Sequence, residues 1–170
     1  MTDPSDRIDV RRAEPEDIKT IQTIAREAWY AAYGFLSPEA IEAALSDAYD
    51  EDLLAGAIDA EGLRLFVADA GDDAGVVGFA SAEQTWADEL ELHTLYVDPS
   101  LWGEEIGTKL LSAIEDYADS LGVDRIACGV FTDNTVGVGF LEARGFEAGI
   151  ETTVTVGGER HTEREYERPL

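Results

Sequence analysis

The sequence predicts a single α/β domain with a mixed central sheet. Segments of alternating apolar residues occur between segments with helical spacing along the whole chain. A strand at 89–97 is followed by an amphipathic helix at about 103–121. A chain of 170 residues without a linker, repeat or low-complexity segment is most simply one domain. We therefore expect a domain over 1–170, with 1–7 as a loose lead-in.

The predicted order of elements is β-α-α-β-β-β-α-β-α-β-β. The strands are placed at 8–13, 63–70, 75–82, 89–97, 125–131, 146–156 and 159–168. The helices are placed at about 15–33, from 38 onward, at about 103–121 and at 135–143. This order predicts helices packed on one sheet.

Local signals set the limits of the first two helices. Pro15 suits a first helical turn, and apolar residues then recur at helical spacing until Tyr33, before Gly34 ends the helix. Ser37 is a good N-cap for the second helix. Residues 53–58 either extend that helix or form a separate turn.

The strands from 63 to 97 follow one another closely. Between the first two, Gly-Asp-Asp-Ala-Gly is a turn signal that predicts a hairpin. Alternation along the third places its side chains on two faces. One face carries Leu90, Leu92, Thr94 and Tyr96, and the other carries Glu91, His93, Leu95 and Val97.

The second half contains the most regular helix. Its apolar stripe runs to Leu121, and Gly122 stops it. The last two strands form a hairpin around Gly157 and Gly158. The final strand is polar on both faces, which is typical of a sheet edge.

The charge balance is extreme, with 37 acidic residues, 12 basic residues and a formal net charge of -25. The acids are spread along the chain and the only lysines are Lys19 and Lys109. We therefore favour adaptation to a salty cytoplasm, as in a halophilic organism, over an acidic patch for a cationic partner. Without a Lys/Arg-rich face, nucleic-acid binding is disfavoured.

The hydropathy pattern and the cysteine count bear on where the protein is located and on whether it binds a metal. The chain has no apolar run of roughly 20 residues and no signal-peptide layout at its start, so we expect a cytoplasmic protein without a membrane partner. Cys128 is the only cysteine, which excludes an internal disulfide and a four-cysteine site, and we expect no metal. The oligomeric state is left open between a monomer and a homodimer.

The stretch 95–111, LYVDPSLWGEEIGTKLL, carries the strongest functional signal. A strand leads through a proline and a glycine-containing loop into the start of a helix. Such a loop presents unpaired backbone N–H groups and a positive dipole end, which suits a phosphate group.

This stretch resembles the acyl-CoA-binding motif of the GNAT superfamily of N-acetyltransferases. The family pattern is Gln or Arg, two residues, Gly, one residue, then Gly or Ala. Here it begins at Trp102, and its small-residue positions are Glu105 and Gly107. A second segment, NTVGVGFLEARGF at 134–146, is similar to another family pattern, with Gly137 in place of alanine. The order of elements is also the GNAT order, so the resemblance covers nearly the whole chain.

The resemblance implies that acetyl-CoA is the cosubstrate. In the family, the strand before the loop splays from its neighbour at a bulge, and its main chain binds the pantetheine arm. The residues implied at the cofactor site are Leu95, Val97, Trp102, Gly103, Glu104, Glu105, Ile106, Gly107, Thr108 and Asn134.

Besides Gly137, three further residues depart from the family pattern. Glu105 either competes for the loop amides or points outward, and we expect cofactor binding that depends on salt, because the Debye length falls to about 3 Å in molar salt. Trp102 packs either on the cofactor or on the protein. Leu141 stands where the family often has a tyrosine that protonates the leaving thiolate, a role left to water or to another tyrosine.

The resemblance also implies a catalytic base and an acceptor pocket. Glu91 stands where many members carry a glutamate that deprotonates the amine, and an ammonium must lose its proton before it attacks a thioester. His93 shares its predicted face, and Cys128 is expected to be a core residue. Tyr30, Tyr33 and Phe35 lie where members shape the acceptor pocket.

The sequence thus predicts an N-acetyltransferase that moves an acetyl group from acetyl-CoA directly to a primary amine of a small molecule or a protein. The alternative is a non-catalytic GNAT-fold domain that binds acyl-CoA or a partner as a sensor or interaction module. Glu105 and Leu141 favour that alternative.

Overall fold

The computed structural model describes residues 8–71 and 74–170. The predicted lead-in at 1–7 and two residues of the predicted turn at 71–75 lie outside the described residues. The strands are β1 (Asp9–Arg12), β2 (Leu63–Asp69), β3 (Val76–Trp86), β4 (Glu89–Val97), β5 (Arg125–Phe131), β6 (Glu147–Val156) and β7 (Glu159–Pro169). They form one seven-stranded sheet in the order β1-β2-β3-β4-β5-β7-β6. The β4–β5 pair is parallel and the other pairs are antiparallel.

The helices are α1 (Ile18–Ala32), α2 (Pro38–Ala48), α3 (Glu51–Asp59), α4 (Ile106–Leu121) and α5 (Thr135–Ala143). Pro15 opens a short 3-10 turn directly before α1 rather than the α-helix itself. Ser37 caps α2 as predicted, since its hydroxyl accepts a hydrogen bond from the Ala40 amide at 3.1 Å. Residues 53–58 belong to the separate helix α3, which adds one helix to the predicted order.

Two hydrophobic cores lie on opposite faces of the sheet. On one face, α1, α2 and α3 bury residues such as Ile21 and Ala25 against Val67 and Phe79. On the other face, the stripe of α4, including Leu110 and Ile114, packs with β3, β4, β5 and α5. Two small residues face each other in the pair Ala68–Gly78, and Ala80 of β3 is opposite the larger Leu95 of β4.

The last hairpin corrects one prediction. The edge strand is β6, whereas β7 lies between β5 and β6 and buries Tyr166 in the core on the α4 face. The polar residues of β7 therefore occupy an internal strand. At the hairpin tip, a Cβ on Gly157 would lie 2.4 Å from the Ala40 Cα, so the missing side chain lets the hairpin pack closely on α2. The Glu159 carboxylate also accepts a hydrogen bond from the Ser37 amide at 3.2 Å.

Within the described ranges 8–71 and 74–170, the structure contains no helix with the length and apolar character that a bilayer span requires.

Candidate active site

The site is built where two neighbouring parallel strands separate. Strand β4 pairs with β5 from Glu89 to Leu92, opposite Arg125 to Cys128, and the pairing then stops although both strands continue. On its other side β4 stays paired with β3, but the register shifts between Leu92 and Thr94, which leaves His93 as a bulge. The strands therefore diverge beyond Leu92 and Cys128.

The bulge corrects the predicted faces of β4. Leu92, Leu95 and Val97 all contact the core on the α4 face, whereas Tyr96 packs with the core on the α1 face. Strict alternation would have separated Leu92 from Leu95, and the extra residue at the bulge brings them to the same side.

The main chain of β4 leaves polar groups facing the gap. The Asp98 amide donates to the Val77 carbonyl on β3 at 2.8 Å. Because successive residues of a strand direct their N–H and C=O groups to opposite sides, those of Leu95 and Val97 face the β5 side, where β4 has no strand partner. This is the geometry expected of a strand that pairs with an extended ligand.

The loop after β4 turns back on itself before α4. Gly103 has φ of 88° and Glu105 has φ of 65°, so left-handed backbone occurs twice within three residues. The helix begins at Ile106 rather than near 103 as predicted. Left-handed residues next to a helix start orient successive amides toward one point, which favours an anion.

Glu105 carries the strain of this loop. It has the only positive φ of a residue other than glycine within the described residues. A non-glycine residue in this region costs about 1 kcal/mol or more. Its side chain is exposed and makes no capping hydrogen bond. Of the two predicted arrangements, the structure has the one in which the carboxylate does not occupy the amides of the first helical turn.

Trp102 contacts the protein, which is one of its two predicted arrangements. Its indole Nε1 donates to the Val97 carbonyl at 3.0 Å, and 40% of the residue is exposed. The side chain thus ties the loop to the end of β4. Gly107 provides close packing in the next turn, because a Cβ there would lie 3.0 Å from the Phe140 ring.

Arg144 is a site residue that the sequence analysis missed. Its guanidinium lies 3.6 Å from the Phe140 ring centre and donates to the Phe140 carbonyl at 3.0 Å and to the Thr108 hydroxyl. Its Nε is buried without a hydrogen-bond partner. Arg144 is the only arginine or lysine among the described residues that line the cavity. Its place just before Gly145 in the second motif was the available signal.

The start of helix α5 borders the gap between β4 and β5. The Asn134 side chain accepts a hydrogen bond from the Gly137 amide at 3.0 Å and so caps the helix. A Cβ on Gly137 would lie 2.5 Å from the Asn134 side chain, so glycine makes room for this cap. Leu141 is buried and packs in the core on the α4 face.

A continuous cavity of about 510 Å³ joins these parts. Its end next to the loop before α4 is lined by residues that include Leu95, Val97, Trp102, Gly103, Glu105, Ile106, Gly107, Thr108, Asn134, Phe140 and Arg144. Its other end is lined by residues that include Tyr33, His93, Cys128, Gly129, Phe131 and Glu163. Among the predicted site residues, Tyr30, Phe35, Glu91 and Glu104 are not part of the lining.

Aromatic side chains form the second end. The hydroxyl groups of Tyr33 and Tyr96 are 2.9 Å apart, and removal from water raises both pKa values, so both phenols stay protonated. Phe35 lies behind this wall, with its ring packed edge-on against Tyr33 and Phe131. Tyr30 is exposed, and its hydroxyl donates to the Glu42 carboxylate.

Glu163 lines the same end of the cavity, and Glu91 lies near it but outside the lining. Glu91 is 41% exposed, and one of its oxygens is 3.9 Å from His93 Nδ1. His93 also lies 3.2 Å from Glu83. Glu163 comes from β7 and was not predicted; desolvation, aided by the charge of Glu91, raises its pKa. Its signal in the sequence was hidden by the many acids of the final strand.

Cys128 lies at the point of divergence. Desolvation, with the charges of Glu163 and Glu91, raises the pKa of its thiol to about 12. Because the thiolate is the nucleophilic form, this cysteine is a poor nucleophile near neutral pH. Its expected role as a packing residue agrees with its contacts in the core on the α4 face.

Comparison with known proteins identifies this architecture. The family model described as acetyltransferase (GNAT) family matches residues 19–146. The chain belongs to the GNAT acetyltransferase family. The match includes α1, the diverging strands, the loop before α4 and both motifs. The GNAT resemblance of those motifs is therefore confirmed.

Two similar acetyltransferase matches come from Thermoplasma acidophilum. A spermidine N(1)-acetyltransferase is 29% identical over 143 residues, which cover 82% of this chain and 88% of the relative. The crystal structure of the PaiA N-acetyltransferase in complex with coenzyme A is 26% identical, with a TM-score of 0.83 and coverage of 96% and 99%. A spermidine N-acetyltransferase from Vibrio cholerae, solved with CoA and spermine, has a TM-score of 0.74 and covers 96% of each chain; at 18% identity it shows the fold alone.

Proposed function

We propose that the protein transfers the acetyl group of acetyl-CoA directly to a primary amine. The observation that carries this proposal is the continuous cavity, which begins at the amide-bearing loop before α4 and ends among aromatic and acidic side chains. An anionic cosubstrate suits the first end and an ammonium group suits the second. The Thermoplasma structure that contains coenzyme A supports the assignment of the first end.

Acyl-CoA would be held largely by the main chain. The first-turn amides of α4 have no partners within the helix. The left-handed residues Gly103 and Glu105 orient the loop amides toward the same place as these first-turn amides. The main-chain groups of Leu95 and the amide of Val97 would pair with the pantetheine arm, since the Val97 carbonyl already accepts from Trp102, and Arg144 would balance phosphate charge. We assign acyl-CoA binding to Leu95, Val97, Trp102, Gly103, Glu104, Glu105, Ile106, Gly107, Thr108 and Asn134, and we add Arg144.

The second end suits an aliphatic ammonium. Tyr33 and Phe131 offer apolar and ring surfaces, the Glu163 carboxylate lines the cavity, and Glu91 adds negative charge near Glu163 from outside the lining. We propose a polyamine such as spermidine as the acceptor, since the curated Thermoplasma relative is a spermidine acetyltransferase. A carboxylate at this end takes the proton of the ammonium; Glu91 remains the sequence-based prediction for this role.

Transfer would proceed without an acyl-enzyme. The thiol of Cys128 stays protonated because its pKa is raised to about 12, so it is unsuited to accept the acetyl group. The amine nitrogen would therefore attack the thioester carbon itself. With leucine at position 141, water or a cavity tyrosine such as Tyr33 would protonate the departing thiolate.

Because the chain is strongly acidic, acetyl-CoA binding should be measured at more than one salt concentration. We propose that the net charge of -25 reflects a salty cytoplasm, so acetyl-CoA should bind more tightly as KCl rises. Calorimetry with acetyl-CoA at low and multimolar KCl measures this. Thiol release is then followed with spermidine, an aliphatic monoamine and a peptide α-amine.

We expect acetyl-CoA binding at high salt and the fastest thiol release with spermidine. Binding without thiol release from any amine would favour the acyl-CoA sensor. Faster reaction with the peptide would assign a protein amine as the acceptor. No binding at either salt would contradict both functions.

A further inference from the structure

The Glu163 carboxylate occupies a space on β5 that is open because residue 129 is glycine. It is opposite Phe131 in the β5–β7 ladder, yet its side chain reaches over Gly129. A Cβ on Gly129 would lie 2.3 Å from Glu163 Oε1 and 2.9 Å from Cδ. Gly129 does not have positive φ, so its backbone conformation does not require glycine. The missing side chain is instead what gives the carboxylate its place.

The space above Gly129 lies at the point where β4 and β5 diverge. Cys128 is the last residue of β5 that pairs with β4, and Gly129 is the next residue along the strand. An acyl-CoA whose pyrophosphate sits at the start of α4 would run along β4 from Val97 toward Leu92, because the loop follows the end of β4. Its thioester would therefore arrive beside the Glu163 carboxylate.

The groups around this carboxylate come from several elements. Strand β4 contributes Glu91 and His93, the residue after α1 is Tyr33, and β5 contributes Cys128. On the other side, β6 pairs with β7 and Glu151 holds the neighbouring Arg164 in an ion pair. Desolvation and the charge of Glu91 raise the pKa of Glu163, and a raised pKa makes a carboxylate a stronger proton acceptor.

We propose that Glu163 is the catalytic carboxylate that takes the proton from the acceptor ammonium, and that Glu91 acts on it as a positioning residue through its charge. This inference rests on the acetyl transfer proposed above. Glu163 Oε1 accepts the ammonium proton, and the nitrogen lone pair forms a C–N bond with the thioester carbon. The C–S bond breaks with its electron pair on sulfur, and the second nitrogen proton reaches the thiolate through water or the Tyr33 hydroxyl. The products are the amide and the CoA thiol, and Glu163 returns its proton to solvent.

The experiment compares Glu163→Gln, Glu163→Asp and Glu91→Gln with the control Glu165→Gln. Glu165 is exposed on the same strand, so the control removes the same charge. The value of kcat/KM with spermidine is measured from about pH 5 to about pH 10, and acetyl-CoA affinity is measured by calorimetry. Glu163→Gln should lower kcat/KM about a hundredfold and abolish the rise of activity on the acid side. Glu163→Asp should restore part of that rise, and the control should match the wild type.

The pH profile separates the two roles. The acid limb reports the pKa of the base, which must be deprotonated to act. Glu91→Gln removes a negative charge that raises the pKa of Glu163, so the limb should move to lower pH while the plateau rate changes less than about tenfold. Acetyl-CoA affinity should stay within about twofold in all variants, which shows that the fold and the cofactor end are intact.

A second variant moves the carboxylate without removing it. Gly129→Ala should displace it and lower kcat/KM about tenfold, and the same change in Glu163→Gln should add no loss. If Glu163→Gln keeps the rate and the acid limb while Glu91→Gln loses both, Glu91 is the base and this inference is wrong, although the proposed function stands. If the wild type acetylates no amine, the proposed function fails and the inference fails with it.

Discussion

The two ends of the cavity are built in opposite ways. The cofactor end comes from two short continuous segments, 95–108 and 134–144, and offers mainly backbone groups. The acceptor end combines Tyr33, Phe131 and Glu163, which are far apart in the sequence, and offers side chains. A site made of backbone tolerates replaced side chains such as Trp102 and Glu105. A site made of side chains depends on each one.

The largest effect at the cofactor end should come from Arg144, the exception to its backbone character. Arg144→Ala removes a charge next to Thr108 and the first turn of α4. A charge-assisted hydrogen bond contributes about 1.5–3 kcal/mol, so acetyl-CoA should bind about ten- to a hundredfold more weakly in calorimetry at low salt. The loss should shrink in molar KCl because salt screens the interaction.

Arg160→Ala is the matched control. Arg160 is exposed on β7 and does not line the cavity, so its removal changes the net charge equally. It should leave acetyl-CoA affinity nearly unchanged. Equal weakening by both variants would mean that Arg144 acts only through the net charge, and unchanged affinity in Arg144→Ala would leave the phosphates to the backbone alone.

At the acceptor end, Phe35 should affect the KM for spermidine more than Tyr30 does, although the two residues are close in the sequence. Phe35 supports Tyr33 and Phe131 through edge-on ring contacts at 5.8 Å and 5.6 Å. Phe35→Ala removes that support and leaves a void, so the KM for spermidine should rise about five- to tenfold. Acetyl-CoA affinity should not change, since the Phe35 ring lies outside the cavity lining and packs on Tyr33 and Phe131 at the acceptor end.

Tyr30→Phe supplies the contrast. It removes only the hydroxyl bound to Glu42 on the exposed side of α1, so neither the KM nor the affinity should change. A rise in KM for Tyr30→Phe as large as that for Phe35→Ala would move the acceptor pocket to the outer face of α1. The sequence placed both residues together because they are neighbours in the chain, and the structure directs them apart.

Sequence reasoning worked best where the signal was local. The stripe and end of α4, the Ser37 cap and the limits of β4 depend on residues within a turn or two of one another. The two motifs identified the GNAT family for the same reason. They also contain Arg144, which was overlooked because its contacts with Thr108 join two segments.

The features that could not be predicted depend on pairing between distant segments. The bulge at His93 appears only when β4 is aligned with β3, and it reverses the faces expected for Leu95 and Val97. The internal position of β7 follows from pairing with β5, which no local pattern specifies. Glu163 is one of 37 acids, and only the fold shows its carboxylate above Gly129.

The smallest effect on acetyl-CoA affinity should come from Glu105. At this position the contribution of the backbone conformation can be measured apart from that of the side-chain charge. Glu105→Gly relieves a φ of 65° and should stabilise the fold by about 1 kcal/mol, seen as a higher Tm. It also removes a negative charge at the mouth of the cavity, so acetyl-CoA should bind about two- to threefold more tightly at low salt and equally in molar KCl.

Glu104→Gln separates these contributions, because it removes a neighbouring charge at a position without positive φ. It should reproduce part of the gain in affinity at low salt and none of the gain in Tm. If Glu105→Gly raised affinity equally at all salt concentrations, the gain would come from a freer loop rather than from lost repulsion. The cofactor end would then be limited by the conformation of its backbone, which would extend the contrast with the acceptor end.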